Sequence, residues 1–348
     1  MDETDHSAPP AGPPVPPNAQ MYQLLSHFAL LQALSVVARL GVPEAMAGGV
    51  RSVDEIAEEV GAHAPTLHRL LRALAEIGVF SAEEGGYALT PMGATLRRET
   101  PGSLASLAVM AGSDWMTALR EGLYDTVRTG HVNTVSVLGT GLFDYLRQHP
   151  EKAAVFDSAM TDVSAAAAAL ATRYDFGRFK TLVDVGGGRG YLLASILAAY
   201  PALSGVLFDQ EHVLAGAAPQ LERLGVADRC ELVAGDFFAS VPAGADGYLI
   251  NNVLHDWPDE TVVGILRTIA AAMTPDATLL ISGWLLPDDT VPYPAGRALD
   301  LQMLLVTDGG RERNEPEYRD LLAQADLELR RVIQGEPTLP AFLEVVRR

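Results

Sequence analysis

Leu182-Val183-Asp184-Val185-Gly186-Gly187-Gly188-Arg189-Gly190 is the stretch on which the reading of this chain turns. The apolar run predicts a short strand, the glycines a tight turn, and Tyr191 to Ala199 a helix. Strand, glycine turn and helix N-terminus together let a ligand touch bare backbone, because glycine has no Cβ to hold it off. A dinucleotide fingerprint, G-x-G-x-x-G, counted from Gly186 requires a glycine at 191, where Tyr191 stands. The pattern is instead D-x-G-x-G-x-G: Asp184, then Gly186, Gly188 and Gly190.

Three further strands follow at the spacing of an open α/β sheet. Gly205-Val206-Leu207-Phe208 ends in Asp209, an acid placed to accept hydrogen bonds from two ribose hydroxyls. Cys230-Glu231-Leu232-Val233 leads into Gly235-Asp236-Phe237-Phe238, where a carboxylate and an aromatic face suit the amino group and ring of an adenine. Gly247 to Asn252 delivers Val253-Leu254-His255-Asp256-Trp257-Pro258-Asp259-Glu260, and Pro258 with the acids behind it opens a helix. Four successive strand ends thus carry polar residues to one rim, where open α/β sheets bind ligands.

With these residues in hand, the chain resembles the caffeic-acid-type O-methyltransferases, plant small-molecule enzymes with bacterial relatives in natural-product tailoring. Val183 to Gly190, Gly235-Asp236-Phe237-Phe238 and Leu254-His255-Asp256-Trp257-Pro258-Asp259-Glu260 carry the likeness, which extends over nearly all of the chain beyond its first twenty residues. The resemblance implies a Rossmann-like class I methyltransferase domain behind an N-terminal, mainly α-helical winged-helix dimerisation domain. It also implies S-adenosylmethionine (SAM) as methyl donor, S-adenosylhomocysteine as product, and a homodimer.

Composition narrows the partners. A chain of 348 residues accommodates two domains, and a formal charge of −19 opposes nucleic acid and anionic membrane surfaces. The single cysteine, Cys230, implies no disulfide framework and fits a reducing, cytoplasmic setting. No signal peptide is recognisable, and no apolar run is read as long enough for a membrane span. High Ala, Gly and Arg-over-Lys usage is compatible with a GC-rich bacterial genome and secondary metabolism.

Organisation follows from periodicity. Residues 1–18, with Pro9, Pro10, Pro13, Pro14, Pro16 and Pro17, are expected to be a disordered tail. Met21 to Leu40 carries an apolar stripe at helical spacing, and the family's equivalent segment exchanges with a second subunit. Within 19–100, Ser52-Val53-Asp54-Glu55 opens a helix as a capping box. A second helix (Thr66 to Ile77) and a hairpin around Glu83-Glu84-Gly85-Gly86 complete a winged helix. That fold raises a DNA-binding regulator as an alternative. Five arginines against seven acids between 51 and 98, with an acidic hairpin tip, argue for dimerisation instead. Residues 101–175 read as a helical linker that builds the substrate pocket, and 176–348 as the SAM-binding domain. Its last strands are expected at Thr278 to Ile281 and Ala341 to Val346.

His255, just past the fourth strand, is assigned as general base, since a histidine titrates near the operating pH. Asp256 either positions substrate or histidine, or solvates the loop. The resemblance implies two glutamates that orient the histidine. Glu312, in Gly309-Gly310-Arg311-Glu312-Arg313, matches one; Gly283 stands where the other belongs, four residues before Pro287. Asn251 replaces a lysine common near the adenine in plant members. Ser164 matches a serine near the SAM carboxylate, and Phe156, Met160, Met303 and Thr307 match substrate contacts. Trp115 and Trp257 are expected as flat walls for an aromatic acceptor. No Cys/His grouping has metal spacing, so no metal is expected. Gly283 keeps a second reading open, in which the fold retains SAM but catalyses a hydroxylation or cyclisation.

Overall fold

The computed structural model describes residues 16–132, 134–168, 172–334 and 340–348. The proline-rich tail therefore lies largely outside the described residues. It is shorter than expected, because a helix already begins at Pro17 (Pro17–Ser26). Proline at the first helical position fixes φ and lacks only an N–H that would have no partner there. The stripe read as one helix to Leu40 is broken by a 3₁₀ turn, His27–Ala29, before Leu30–Leu40. Pro17–Leu40 is nonetheless helical over 24 residues and holds an 18-residue window of mean hydropathy 1.4, so the expectation that no run reaches membrane-spanning length is corrected as to length and composition. Met21, Tyr22, Leu24 and Leu25 are all more than half exposed on it.

The N-terminal domain folds as a winged helix. Ser52 and Glu55 form the expected capping box on Val53–Val60, and Ala64–Ala75 follows. A hairpin of β1 (Phe80–Glu83) and β2 (Gly86–Leu89) closes the motif, with Phe80 opposite Leu89. Ile56, Leu67, Leu71, Leu74 and Phe80 fill its core. Six helices from Ala105 to Ala168 form the next layer among the described residues, ending in the long Pro150–Ala168.

The C-terminal domain is built on β3 (Thr181–Val185), β4 (Ser204–Asp209), β5 (Cys230–Ala234), β6 (Gly247–Asn251) and β7 (Thr278–Gly283). Short β8 (Leu285–Leu286) and β9 (Arg313–Asn314) pair in parallel beside it, and β10 (Leu327–Ile333) and β11 (Ala341–Arg347) complete the chain. The large sheet runs β10-β11-β7-β6-β3-β4-β5. Its five-strand body is parallel, while β11 is antiparallel to both β7 and β10. Strands β6 and β7 are apolar because helices cover both their faces. The order reverses at β3, so a crevice opens between the C-terminal ends of β3 and β6. The glycine loop and the His255 segment both emerge there.

Candidate active site

The loop after β3 takes its shape from glycine. Gly186, Gly188 and Gly190 have φ of 69°, 60° and 77°, values that side chains with a Cβ rarely adopt. A Cβ on Gly187 would lie 2.6 Å from the Asp184 carboxylate, whereas one on Gly188 would meet nothing within 4 Å. The loop is therefore pressed onto the sheet everywhere except at the face it shows to solvent. The Gly188 N–H donates to Asp209 Oδ2 at 2.8 Å, and Gln210 N–H to Oδ1 at 2.7 Å, which brings the β4 acid directly beneath the turn.

A cavity of ≈ 510 Å³ opens over this rim. Asp184, Gly186, Gly188, Asp209, Asp236, Phe237, Asn251 and Ser164 line it, all of them expected cofactor residues. Gly190 is absent from the lining; it caps the helix Tyr191–Ala199 in the left-handed conformation, where a Cβ would come within 2.8 Å of the Leu207 side chain. Asp184 is almost completely buried, and burial, then the nearby Asp209, raises its pKa to about 7. Burial raises Asp209 as well. In the same wall Asp184 Oδ1, Asn251 Oδ1, Asn252 Oδ1 and Trp257 Nε1 are buried without a hydrogen-bond partner. Orphaned polar atoms converging on one cavity fit a polar ligand that supplies the missing partners.

Charge selects among such ligands. Asp144, Asp157, Asp184, Asp209, Asp236 and Asp256 face the cavity, against Arg147 and Arg189. Both arginines are already paired, Arg147 with Asp144 and Arg189 with Asp157 at 3.2 Å. A pyrophosphate would be repelled here, while a cationic nucleoside is drawn in.

His255 lies at the neighbouring strand end. After β6, Asn252 takes a positive φ of 51° and donates its N–H to the Ser282 carbonyl. The chain then makes a 3₁₀ turn, Leu254–Asp256, that holds His255 at 9% exposure. Its Nδ1 is 2.6 Å from Glu312 Oε1, and Asp256 Oδ1 is 3.6 Å from its Nε2. A carboxylate only accepts, so Nδ1 carries the proton and Nε2 is left as the basic nitrogen. Burial works against the imidazolium, but Asp256 and Glu312 outweigh it and raise the His255 pKa to about 9. Burial raises Asp256 to about 6, partly offset by the histidine. Glu312 reaches His255 because Gly310 passes tightly beneath it: a Cβ there would lie 2.3 Å from the His255 carbonyl. Gly283, at the end of β7, is buried with nothing within 4 Å of where a Cβ would stand.

Of the expected substrate residues, Phe156, Met160 and Trp257 line the cavity. Phe143 joins them, stacked on Trp257 at 5.6 Å and edge-on to Phe156 at 6.3 Å. Trp115, Met303 and Thr307 do not. Trp115 and Met303 are packed among Met110, Met116 and Leu119, and the Thr307 hydroxyl donates to the Met303 carbonyl. His255 and Glu312 stand just behind the lining that Asp256 and Trp257 form. Sequence alone did not mark Phe143 as a wall residue, Asn252 as part of the lining, or Arg313 behind the His255 turn, while Phe238, the second aromatic of Gly235-Asp236-Phe237-Phe238, also lines the cavity. Among the described residues no group of His, Cys, Asp or Glu could hold a metal ion.

The strand order and the acidic rim at its switch point are those of a class I methyltransferase. It belongs to the O-methyltransferase family: residues 121–328 match the O-methyltransferase domain and 22–99 the O-methyltransferase dimerisation domain. SAM is accordingly its methyl donor. The chain is 39% identical to the phenazine O-methyltransferase PhzM of Lysobacter antibioticus, over 92% of this chain and 93% of that one. It is 41% identical to the mitomycin biosynthesis 6-O-methyltransferase of Streptomyces lavendulae, over 86% of each. The O-methyltransferase NcsB1 from neocarzinostatin biosynthesis, solved with SAM and 2-hydroxy-5-methyl naphthoic acid, superposes with a TM-score of 0.75 at 33% identity, over 93% of this chain and 98% of its own. Relatives also include a dimethyltransferase named for nitrogen, the 8-amino-8-demethylriboflavin enzyme of Streptomyces davaonensis, 34% identical over 89% and 90%.

Proposed function

We propose that this enzyme methylates a phenolic hydroxyl of an aromatic small molecule in bacterial secondary metabolism, with His255 as general base. The observation that carries the reading is the 2.6 Å contact between His255 Nδ1 and Glu312 Oε1. When bound, SAM supplies a methyl group on a positively charged sulfur. Asp209 and Asp236 are assigned to the ribose and adenine, with Phe237 and Asn251 beside the base and Ser164 at the carboxylate. Phe143, Phe156, Met160 and Trp257 form a flat, apolar slot that suits an aromatic ring. Alignment of nucleophile and methyl in such a slot contributes ~7–11 kcal/mol in favourable cases.

Proton removal is the second contribution. A phenol has a pKa of ~10, far from that of an ordinary histidine at ~6.5. With His255 raised to about 9, transfer from phenol to Nε2 is close to balanced in free energy. Glu312 stabilises the imidazolium that results. Asp256, 3.6 Å from Nε2, is the second carboxylate of the pair that the family places elsewhere.

The dimerisation domain and the exposed Met21, Tyr22, Leu24 and Leu25 support a homodimer in which these side chains are covered by the second subunit. Unpaired Cys230 and the biosynthetic relatives support the cytoplasm as its compartment. Gly283 favours one second reading, a hydroxylation or cyclisation that leaves SAM intact.

Methyl-labelled SAM incubated with hydroxyphenazines, hydroxynaphthoates and aminophenols tests the proposal. Label recovered on oxygen supports it. Label on nitrogen overturns the acceptor atom, and product formed without SAM consumption overturns methyl transfer in favour of the second reading.

A further inference from the structure

Arg313 is fully buried, yet it does not line the cavity. Its guanidinium grips the His255 segment by the main chain. Nη1 donates to the Leu254 carbonyl at 3.0 Å, and Nη2 to the Trp257 carbonyl at 2.7 Å. Those two carbonyls stand on either side of His255 and Asp256. Nε and Nη2 also donate to Asp259 Oδ1, at 2.9 and 2.8 Å, at the start of the helix Asp259–Ala272. The arginine's own backbone is fixed in β9, opposite Leu285 of β8, and Glu312 is the residue before it.

Taken together, these contacts join both ends of the turn that presents the base to the strand that presents its carboxylate. Burying a guanidinium carries a desolvation penalty that an apolar side chain of the same volume avoids. Fold stability alone therefore gives no reason for a charge here. A planar fork that bonds two carbonyls and a carboxylate at once sets a register, which a lysine ammonium cannot reproduce.

We propose that Arg313 is the positioning residue of the base, holding the Leu254–Trp257 turn against β9 so that His255 Nδ1 meets Glu312. The inference rests on the reading of His255 as base, but it is tested apart from turnover. A hydrogen bond as short as this one gives its proton a far-downfield resonance in the spectrum of full-length, histidine-labelled protein. Its absence in His255→Asn and in Glu312→Gln assigns it. Arg313→Lys keeps charge and length and loses the fork; Arg313→Met loses both. Spectra are taken well below each variant's melting temperature, and calorimetry with S-adenosylhomocysteine checks that the cofactor cleft is intact.

The expected result is loss of the resonance in both Arg313 variants, with S-adenosylhomocysteine affinity within about twofold of wild type. A resonance unmoved in Arg313→Lys overturns the proposal, whether or not Arg313→Met retains it, because charge or bulk would then suffice. Should Arg313→Met fail to fold, Arg313→Lys decides alone. Wild-type turnover by His255→Asn would instead remove the base reading and leave the register question answered by the spectrum.

Discussion

His255 Nδ1 and Glu312 Oε1 are 2.6 Å apart although 57 residues separate them in the chain. Two strand ends and a glycine pair bring them together, and the contact leaves Nε2 as the only nitrogen able to take a proton. Replacing His255 by Asn is expected to lower kcat by ~10²–10⁴-fold, the usual span of a positioned base. S-adenosylhomocysteine affinity should stay within about twofold, since the histidine is not among the cavity-lining residues. Steady-state kinetics with calorimetry checks both, and unchanged turnover would reduce catalysis here to alignment alone.

Turnover should climb with pH from neutrality toward about 9, because only the neutral imidazole accepts a proton and Asp256 and Glu312 raise His255 to about 9. Glu312→Gln removes one of the carboxylates that hold the proton on. Its acid limb should therefore move to lower pH while the plateau falls. A pH–rate profile at saturating SAM reads both changes, and a limb displaced to higher pH contradicts the electrostatic account.

Stability should fall as the solution is made alkaline. The folded protein holds the His255 proton to about 9, whereas an unfolded histidine releases it near ~6.5. The contribution is complete below ~6.5 and is lost as pH rises through 9. Asp184, raised to about 7, acts with the same sign at lower pH: its folded form prefers the proton, so stability declines from ~4 upward through 7. Urea midpoints at pH 5, 7 and 9 for wild type and His255→Asn test this; the variant should lose the decline between 7 and 9.

Asp209→Ala should weaken SAM binding by about 10- to 100-fold, as expected for losing hydrogen bonds to a charged acceptor. The same change frees the Gly188 and Gln210 N–H groups that the carboxylate now accepts from, so some loosening of the loop adds to the effect. Isothermal titration with S-adenosylhomocysteine measures it, and an unaltered dissociation constant would remove Asp209 from the ribose.

Much of the cleft was legible because its signals are local. Glycine spacing at 186–190 and a polar residue at the end of each apolar run need no knowledge of distant partners. The helix Tyr191–Ala199 and the capping box on Val53–Val60 formed where periodicity and capping chemistry put them, while the next helix runs Ala64–Ala75, two residues earlier at each end than Thr66 to Ile77. Strand β10 was not anticipated, since Glu328, Arg330 and Arg331 give it the look of a solvated segment; pairing with β11 through a bulge near Arg331 makes it a strand. Trp115 and Met303 show the opposite limit, because a large apolar side chain at helical spacing reads the same in a core as in a pocket. Arg313 lay inside a recognised motif, but its partners are mostly main-chain carbonyls, which leave no trace in sequence.

On the proposed reading, the donor carboxylates and most of the acceptor wall come from different layers of the molecule, with Ser164 and Trp257 the exceptions. Asp184, Asp209 and Asp236 stand at or just past strand ends, where the ladder of the sheet dictates their spacing. Phe143, Phe156 and Met160 hang from the helices Leu142–Gln148 and Pro150–Ala168. Side chains on those helices can be exchanged without disturbing one inter-strand bond. A combinatorial library aimed at altered acceptor scope therefore belongs at positions 143, 156 and 160, leaving Asp157 and Ser158, which bond Arg189 of the glycine loop, and Ser164 in place.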